Sequence, residues 1–182
     1  MPGVLKYDFN VRVFKYSFLL FLLLPLSALG QYNKNEIKAA YVERITRFVE
    51  WPEKISVRDT GVFVIGVFGD NSFFKILKAS LKSKTIKDRI VNIVELSDLN
   101  KTELCDLCYL SGIDEADIVK LLTEANRKGV LVMAEQNGLG EKGIHINFYL
   151  EDNKLKFEIN RSSIDSGKFK VSSMLLKSSR II

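Results

Sequence analysis

Hydrophobic positions change period along the chain, and the changes mark the elements. From Asn35 to Glu50 the apolar residues Ile37, Tyr41, Ile45, Phe48 and Val49 fall at helical spacing, with Lys38, Glu43, Arg44, Arg47 and Glu50 between them. This first helix is expected to end at Trp51, because Pro52 pushes the residue before it out of the α region. Residues 61–69, GVFVIGVFG, are a continuous apolar and β-branched run, the pattern of a central strand covered on both faces. Gly69, Asp70 and Asn71 break that run, and Phe73, Leu77 and Leu81 restore helical spacing. Residues 89–96 and 106–112 read as two further strands. Asp114 is placed to cap a helix carrying Ile118, Leu121, Leu122 and Ala125 on one face; Gly129 stops it, and 130–134 is a fourth strand.

Beyond a Gly-rich loop at 137–143, expected to be flexible, the period becomes two. Ile144, Ile146, Phe148 and Leu150 face one way and His145, Asn147 and Tyr149 the other. Leu155, Phe157 and Ile159 likewise oppose Lys154, Lys156, Glu158 and Asn160. With turn chemistry at Glu151-Asp152-Asn153, residues 144–160 are expected to form a half-solvated antiparallel hairpin. The tail from Phe169 fits either a short helix or an extended segment. The predicted fold class is α/β: a single domain with a largely parallel central sheet flanked by helices, and a C-terminal antiparallel hairpin.

The first thirty residues do not belong to that pattern. Lys6, Arg12 and Lys15 precede the apolar run from Phe18 to Leu24, and small residues at Ala28 and Gly30 follow it. This is the layout of a cleaved signal peptide over 1–30, leaving 31–182 as the exported, periplasmic domain. An uncleaved anchor is the other reading, although the apolar run is shorter than the roughly 20 residues that span a bilayer. No Cys follows the small residues, which argues against a lipid-anchored lipoprotein. Losing 1–30 removes three basic side chains and one acidic one from a chain of net charge +5, leaving +3. Those charges are interspersed, so no nucleic-acid partner is expected.

Candidate chemistry is sparse, and no enzyme activity, cofactor or metal is predicted. The single histidine, His145, is expected on the exposed face of a strand, and no serine sits in a nucleophile elbow. Gly66, Gly69, Asp70 and Asn71 lie at the carboxyl end of a strand before a helix, where open α/β sheets bind ligands, but without a dinucleotide or phosphate-loop fingerprint. They are candidates for a small-ligand site or for a plain tight turn. Cys105 and Cys108 could form a disulfide after export, provided that 105–108 turns; if 106–110 is a strand, the two point to opposite faces and remain buried thiols.

Five short sequences occur in an order that resembles the YfiR-like family of exported bacterial proteins. They are Phe48-Val-Glu-Trp-Pro52, Phe63-Val-Ile-Gly-Val-Phe-Gly69, the strand from Cys105, the pair Ile146-Asn-Phe148 and Phe157-Glu-Ile-Asn160, and Ser172-Ser-Met-Leu-Leu176. Ser178 and Ser179 replace the apolar pair usual after the last of these. The resemblance implies a periplasmic regulator that represses a membrane-bound signalling enzyme, a diguanylate cyclase or a sensor kinase, through contact with its periplasmic region. A second copy of the chain is a further candidate partner. The rival reading is a ligand-binding module feeding a sensor or uptake system. Trp51, with Phe48 and Pro52, is then either a core aromatic ending its helix or an anchor for the partner.

Overall fold

The computed structural model describes residues 33–52 and 61–182; the expected signal peptide lies outside them. Helix α1 spans Lys34–Phe48 and strand β1 Val49–Glu50. β2 (Val62–Phe68), α2 (Asn71–Ser80), β3 (Thr85–Ile86) and β4 (Arg89–Leu96) follow. A 3-10 helix at Leu99–Leu104 leads to β5 (Leu107–Leu110), α3 (Glu115–Lys128) and β6 (Leu131–Ala134). The hairpin strands are β7 (Ile146–Glu151) and β8 (Lys154–Ile159). The tail is α4 (Arg161–Ser166), β9 (Lys170–Val171), α5 (Ser173–Lys177) and β10 (Arg180–Ile181), so it is helical and extended by turns.

Eight of these strands form one sheet in the order β10-β8-β7-β6-β5-β2-β4-β3. Only β7–β8 and β3–β4 are antiparallel, so the sheet is largely parallel, as expected. β5 and β6 are buried at every position, which is why their sequences are apolar without alternation. On one face Val42 and Ile45 of α1 and Phe73 and Leu77 of α2 pack against Ile65, Tyr109 and Phe148. On the other, Ile118, Leu121, Leu122 and Ala125 of α3 pack with Cys108, Leu110 and Val132. Asp114 caps α3 by accepting from the Ala116 amide, satisfying a donor that helix geometry leaves open.

Two expectations are corrected. The first helix ends at Phe48, three residues before Trp51, because Val49 is extended (φ −104°, ψ 137°) and pairs with Val171 of β9 in a separate two-stranded sheet. Proline restricts only the residue before it; a strand pairing remote in sequence decides the helix end. The hairpin is solvated only near its tip. Its turn residues Asp152 and Asn153 both have positive φ, 50° and 59°, the tight geometry that matches strand twist. Towards the sheet, however, His145, Asn147 and Glu158 are buried on the face expected to be open. The 137–143 segment covers part of that face. Leu139 is fully buried, and Gly140 runs so close that a Cβ there would lie 2.2 Å from Glu158 Oε1.

Candidate functional site

β2, β5 and β6 are parallel neighbours and end at one edge of the sheet. The chain leaves β2 through α2 on one face and β5 through α3 on the other, so their boundary is the point where an open α/β sheet usually forms a crevice. Here the crevice is closed by backbone. Gly69, at φ +78°, lies so near Ser111 that a Cβ would sit 2.0 Å from its carbonyl oxygen.

Beside this closure α1 lays a lysine over the strand ends. Lys38 is 2% exposed, and its Nζ donates to Glu135 Oε2 at 2.6 Å, Tyr109 Oη at 3.2 Å and Asp70 Oδ2 at 3.4 Å. The Tyr109 hydroxyl donates to Glu135 Oε2 at 2.7 Å, and Lys34 pairs with the other carboxylate oxygen. Nζ also stands 4.6 Å from the Phe73 ring centre and 5.3 Å from that of Tyr109. A buried cation is tolerated only when compensated in this way. Burial alone would raise the Glu135 carboxyl, but the bonds from Lys34, Lys38 and Tyr109 outweigh it and lower its pKa to about 2. Burial and the neighbouring carboxylate push the Tyr109 phenol well above its ordinary value. Neither group exchanges protons near neutrality, so the cluster acts as a strut tying α1 to three strand ends. The signal that locates Lys38 in the sequence is its register with Val42 and Ile45, the buried stripe of the helix.

The four candidate ligand residues have structural partners. Gly66 lies within β2, where a Cβ would come 2.6 Å from Leu96 Cδ1 and 2.7 Å from Cys105 Sγ. Asp70 caps α2 by accepting from the Phe73 amide at 2.8 Å and pairs with Lys38. Asn71 donates to Glu95 at 2.7 Å. Only Gly69, Asp70 and Asn71 lie together, at the turn from β2 into the first residue of α2. A cleft of about 590 Å³ opens instead between the 3-10 helix and α3, lined by Phe68, Asp98, Leu99, Glu103, Lys120 and Glu124 among others.

At the opposite edge Phe48, Trp51 and Pro52 are all half-buried. The Trp51 indole N–H donates to the Asp106 carbonyl at 3.0 Å, and the ring meets Phe63 edge-on at 5.2 Å. The Asp106 carboxylate is gripped by both terminal nitrogens of Arg89, at 2.8 and 3.0 Å, and by the Val64 amide at 2.7 Å. Phe48 turns toward α5, bordering a cavity of about 160 Å³ with Tyr41, Met174 and Leu175. Cys105 ends the 3-10 helix before β5 begins, so both thiols pack in the core cluster beneath α3 rather than on opposite faces. Cys108 Sγ lies 3.6 Å from the Thr102 carbonyl and Cys105 Sγ 4.0 Å from that of Lys101. His145, expected at the surface, is fully buried: Nδ1 accepts from the Val132 amide at 3.0 Å, and Nε2 donates to Asn126 Oδ1 at 2.8 Å. Burial lowers its pKa to about 4.

With that geometry in place, a model of the YfiR/HmsC-like family (DUF4154) matches residues 35–180. The chain belongs to the YfiR/HmsC-like family. The matched span runs from the first turn of α1 into β10, so the Lys38 strut, the Trp51 edge and the hairpin all lie within it. YfiR-like proteins are periplasmic regulators of diguanylate cyclases, and membership supports a regulatory rather than a catalytic role at that level. No curated protein matches the chain. Among solved structures the chain resembles an ABC domain from Streptococcus pneumonia in complex with L-Trp, with a TM-score of 0.52 and 10% identity over 81% of this chain. That likeness concerns the fold alone, and the YfiR-like chain spans 60% of the other's length. Among the described residues no helix is long and apolar enough to cross a membrane.

Proposed function

We propose that this YfiR-like protein is exported through a cleaved signal peptide in residues 1–30 and represses a membrane-bound diguanylate cyclase by binding its periplasmic region. The observation that carries the reading is the family match across 35–180. The ionisable groups support it: Lys38, Glu135, Tyr109 and His145 are held in fixed hydrogen bonds, an arrangement suited to a rigid docking body. Repression requires only that the protein bind the inactive arrangement of the cyclase more tightly than the active one, and a releasing signal acts by removing that difference. Phe48, Trp51 and Pro52 are the contact residues proposed for this edge.

The test is cellular cyclic-di-GMP in the native host, compared among wild type, a deletion, and deletions complemented with or without residues 1–30. A rise on deletion, reversed only by the form that keeps residues 1–30, is expected. Unchanged levels in every strain would overturn the reading. A second reading, a ligand-binding module, is favoured by the cleft of about 590 Å³, which falls in the size range of small-molecule sites. Stabilisation of the purified protein by a small cationic solute would support it, since Asp98, Glu103, Asp117 and Glu124 outnumber Lys120 around the cleft.

A further inference from the structure

β8 is longer than the strand that covers its outer side. β10 pairs only with Glu158 and Ile159, whereas β8 begins at Lys154. The direction of the peptide groups along β8 follows from two bonds: Asn160 N–H donates inward to the His145 carbonyl, and Ile182 N–H donates from outside to the Ile159 carbonyl, both at 3.0 Å. Peptide groups alternate along an antiparallel strand, so Leu155 also turns its N–H and C=O outward, beyond the reach of β10. A groove of about 780 Å³ lies along this edge, between α1, the hairpin and the turn from α5 into β10.

The two sides of the groove differ in chemistry. On the side covered by α1 the lining is apolar: Ile37 and Tyr41 stand beside Leu155 and Phe157. On the other side Lys154 and Lys156 project from β8, and Arg180 lies over the Tyr149 ring at 4.3 Å. Lys177, at the end of α5, which packs beside Tyr41 and Phe48 on the α1 side, adds a fourth cation at the groove's rim. Glu151 pairs with Lys156 and Glu158 with Arg180. Among the described residues neither Lys154 nor Lys177 has an ion-pair partner.

We infer that the open edge of β8 at Leu155 docks an extended segment of a partner protein in which apolar and acidic residues alternate. An added strand would exchange main-chain hydrogen bonds with Leu155 and place alternate side chains on opposite faces of the sheet. One set meets Tyr41, Leu155 and Phe157; the other meets Lys154, Lys156 and Arg180, with Lys177 at the rim of the groove. A second copy of this chain fits poorly, because pairing one β8 edge with another sets lysines against lysines. An anionic bilayer fits less well than a strand, because Ile37, Tyr41 and Leu155 are only partly exposed and Phe157 is buried. This docking edge lies on other residues than Phe48, Trp51 and Pro52, and does not depend on which protein the chain regulates.

The test measures fluorescence anisotropy of short labelled peptides mixed with the exported protein. The probes are an alternating Glu-Val peptide, a peptide of the same composition with Glu and Val in separate blocks, and an alternating Lys-Val peptide. Vesicles of phosphatidylglycerol and phosphatidylethanolamine are the membrane arm. The alternating Glu-Val peptide should bind, more weakly at high salt, and the other two at least about tenfold more weakly. Leu155→Pro removes the outward N–H without touching the bonds to β7 and should abolish binding, whereas Leu155→Val should retain it. Lys177→Glu, in α5 and away from the ladder, should weaken binding roughly tenfold, and so keeps the test decisive if the proline variant fails to fold. Equal binding of the blocked and alternating peptides, indifference to Lys177→Glu, or capture by vesicles alone would overturn the inference.

Discussion

Replacing Lys38 with methionine tests whether the carboxyl edge is held by charge. The substitution keeps length and helix propensity and removes the ammonium, which donates to Glu135, Tyr109 and Asp70. Removing one partner of a fully buried ion pair costs about 3–5 kcal/mol, because the other charge is left uncompensated. Here Lys34 remains on Glu135, and the Glu135 and Asp70 side chains keep 18% and 22% exposure. The cost should therefore fall to about 2–3 kcal/mol, or roughly 4–12 °C in Tm for a chain of this size. Acid sensitivity supplies a second readout. Glu135 falls from its ordinary 4.5 to about 2 on folding, so it stabilises the fold above pH 4.5, and that contribution drains away as pH drops toward 2. The shift corresponds to about 3 kcal/mol at most. In Lys38→Met the folded pKa climbs back toward its ordinary value and the acid limb flattens. Urea unfolding followed by Trp51, the only tryptophan, measures both. A variant within about 0.5 kcal/mol of wild type, with an unaltered acid limb, would refute the strut.

His145 is lowered to about 4 by burial, so the unfolded chain takes up its proton first; stability should fall by up to about 3 kcal/mol as pH drops from 6.5 to 4. His145→Gln should lack that slope, and a parallel pH–stability curve would contradict the assignment. Gly69→Ala places a methyl against the Ser111 carbonyl at positive φ and should cost at least about 2 kcal/mol by thermal unfolding; wild-type stability would show that the β2–β5 crevice can open. Trp51→Phe keeps the packing on Phe63 but loses the bond to Asp106, so about 1 kcal/mol should be lost in urea titration followed by circular dichroism. A loss near that of Trp51→Ala would mean that the hydrogen bond, not the ring, holds this edge.

Much of the fold was legible because its signals are local. The unbroken apolar run of β2, the Asp114 cap and the four inward positions of α3 each announce themselves within a dozen residues. Strands of two residues carry no period, so β1, β3, β9 and β10 left no trace in the sequence. Alternation in the hairpin marks two faces, yet it does not say what covers a face. Asn126, Gln136, Gly140 and Arg180, outside the hairpin, cover His145, Asn147 and Glu158 on the side near the sheet. Lys38 was hidden for a related reason: a lysine between apolar residues reads as solvent-facing, although its register with Val42 and Ile45 puts it in the core.

The ionisable residues are divided in a way that separates holding the fold from meeting a partner. Lys38 with Glu135, and Arg89 with Asp106, bind opposite edges of the sheet, and α1 with the Trp51 segment links the two. These side chains are spent on internal geometry, so substituting them should change stability before it changes any contact. The cations along β8 behave otherwise. Lys154 and Lys177 are exposed and hold nothing together within the described residues. Their reversal should leave unfolding within about 0.5 kcal/mol of wild type while altering what the protein captures. A variant that changes binding at constant stability thus identifies a contact, and one that changes both identifies a strut; that distinction locates an interface that no periodicity in the sequence marks.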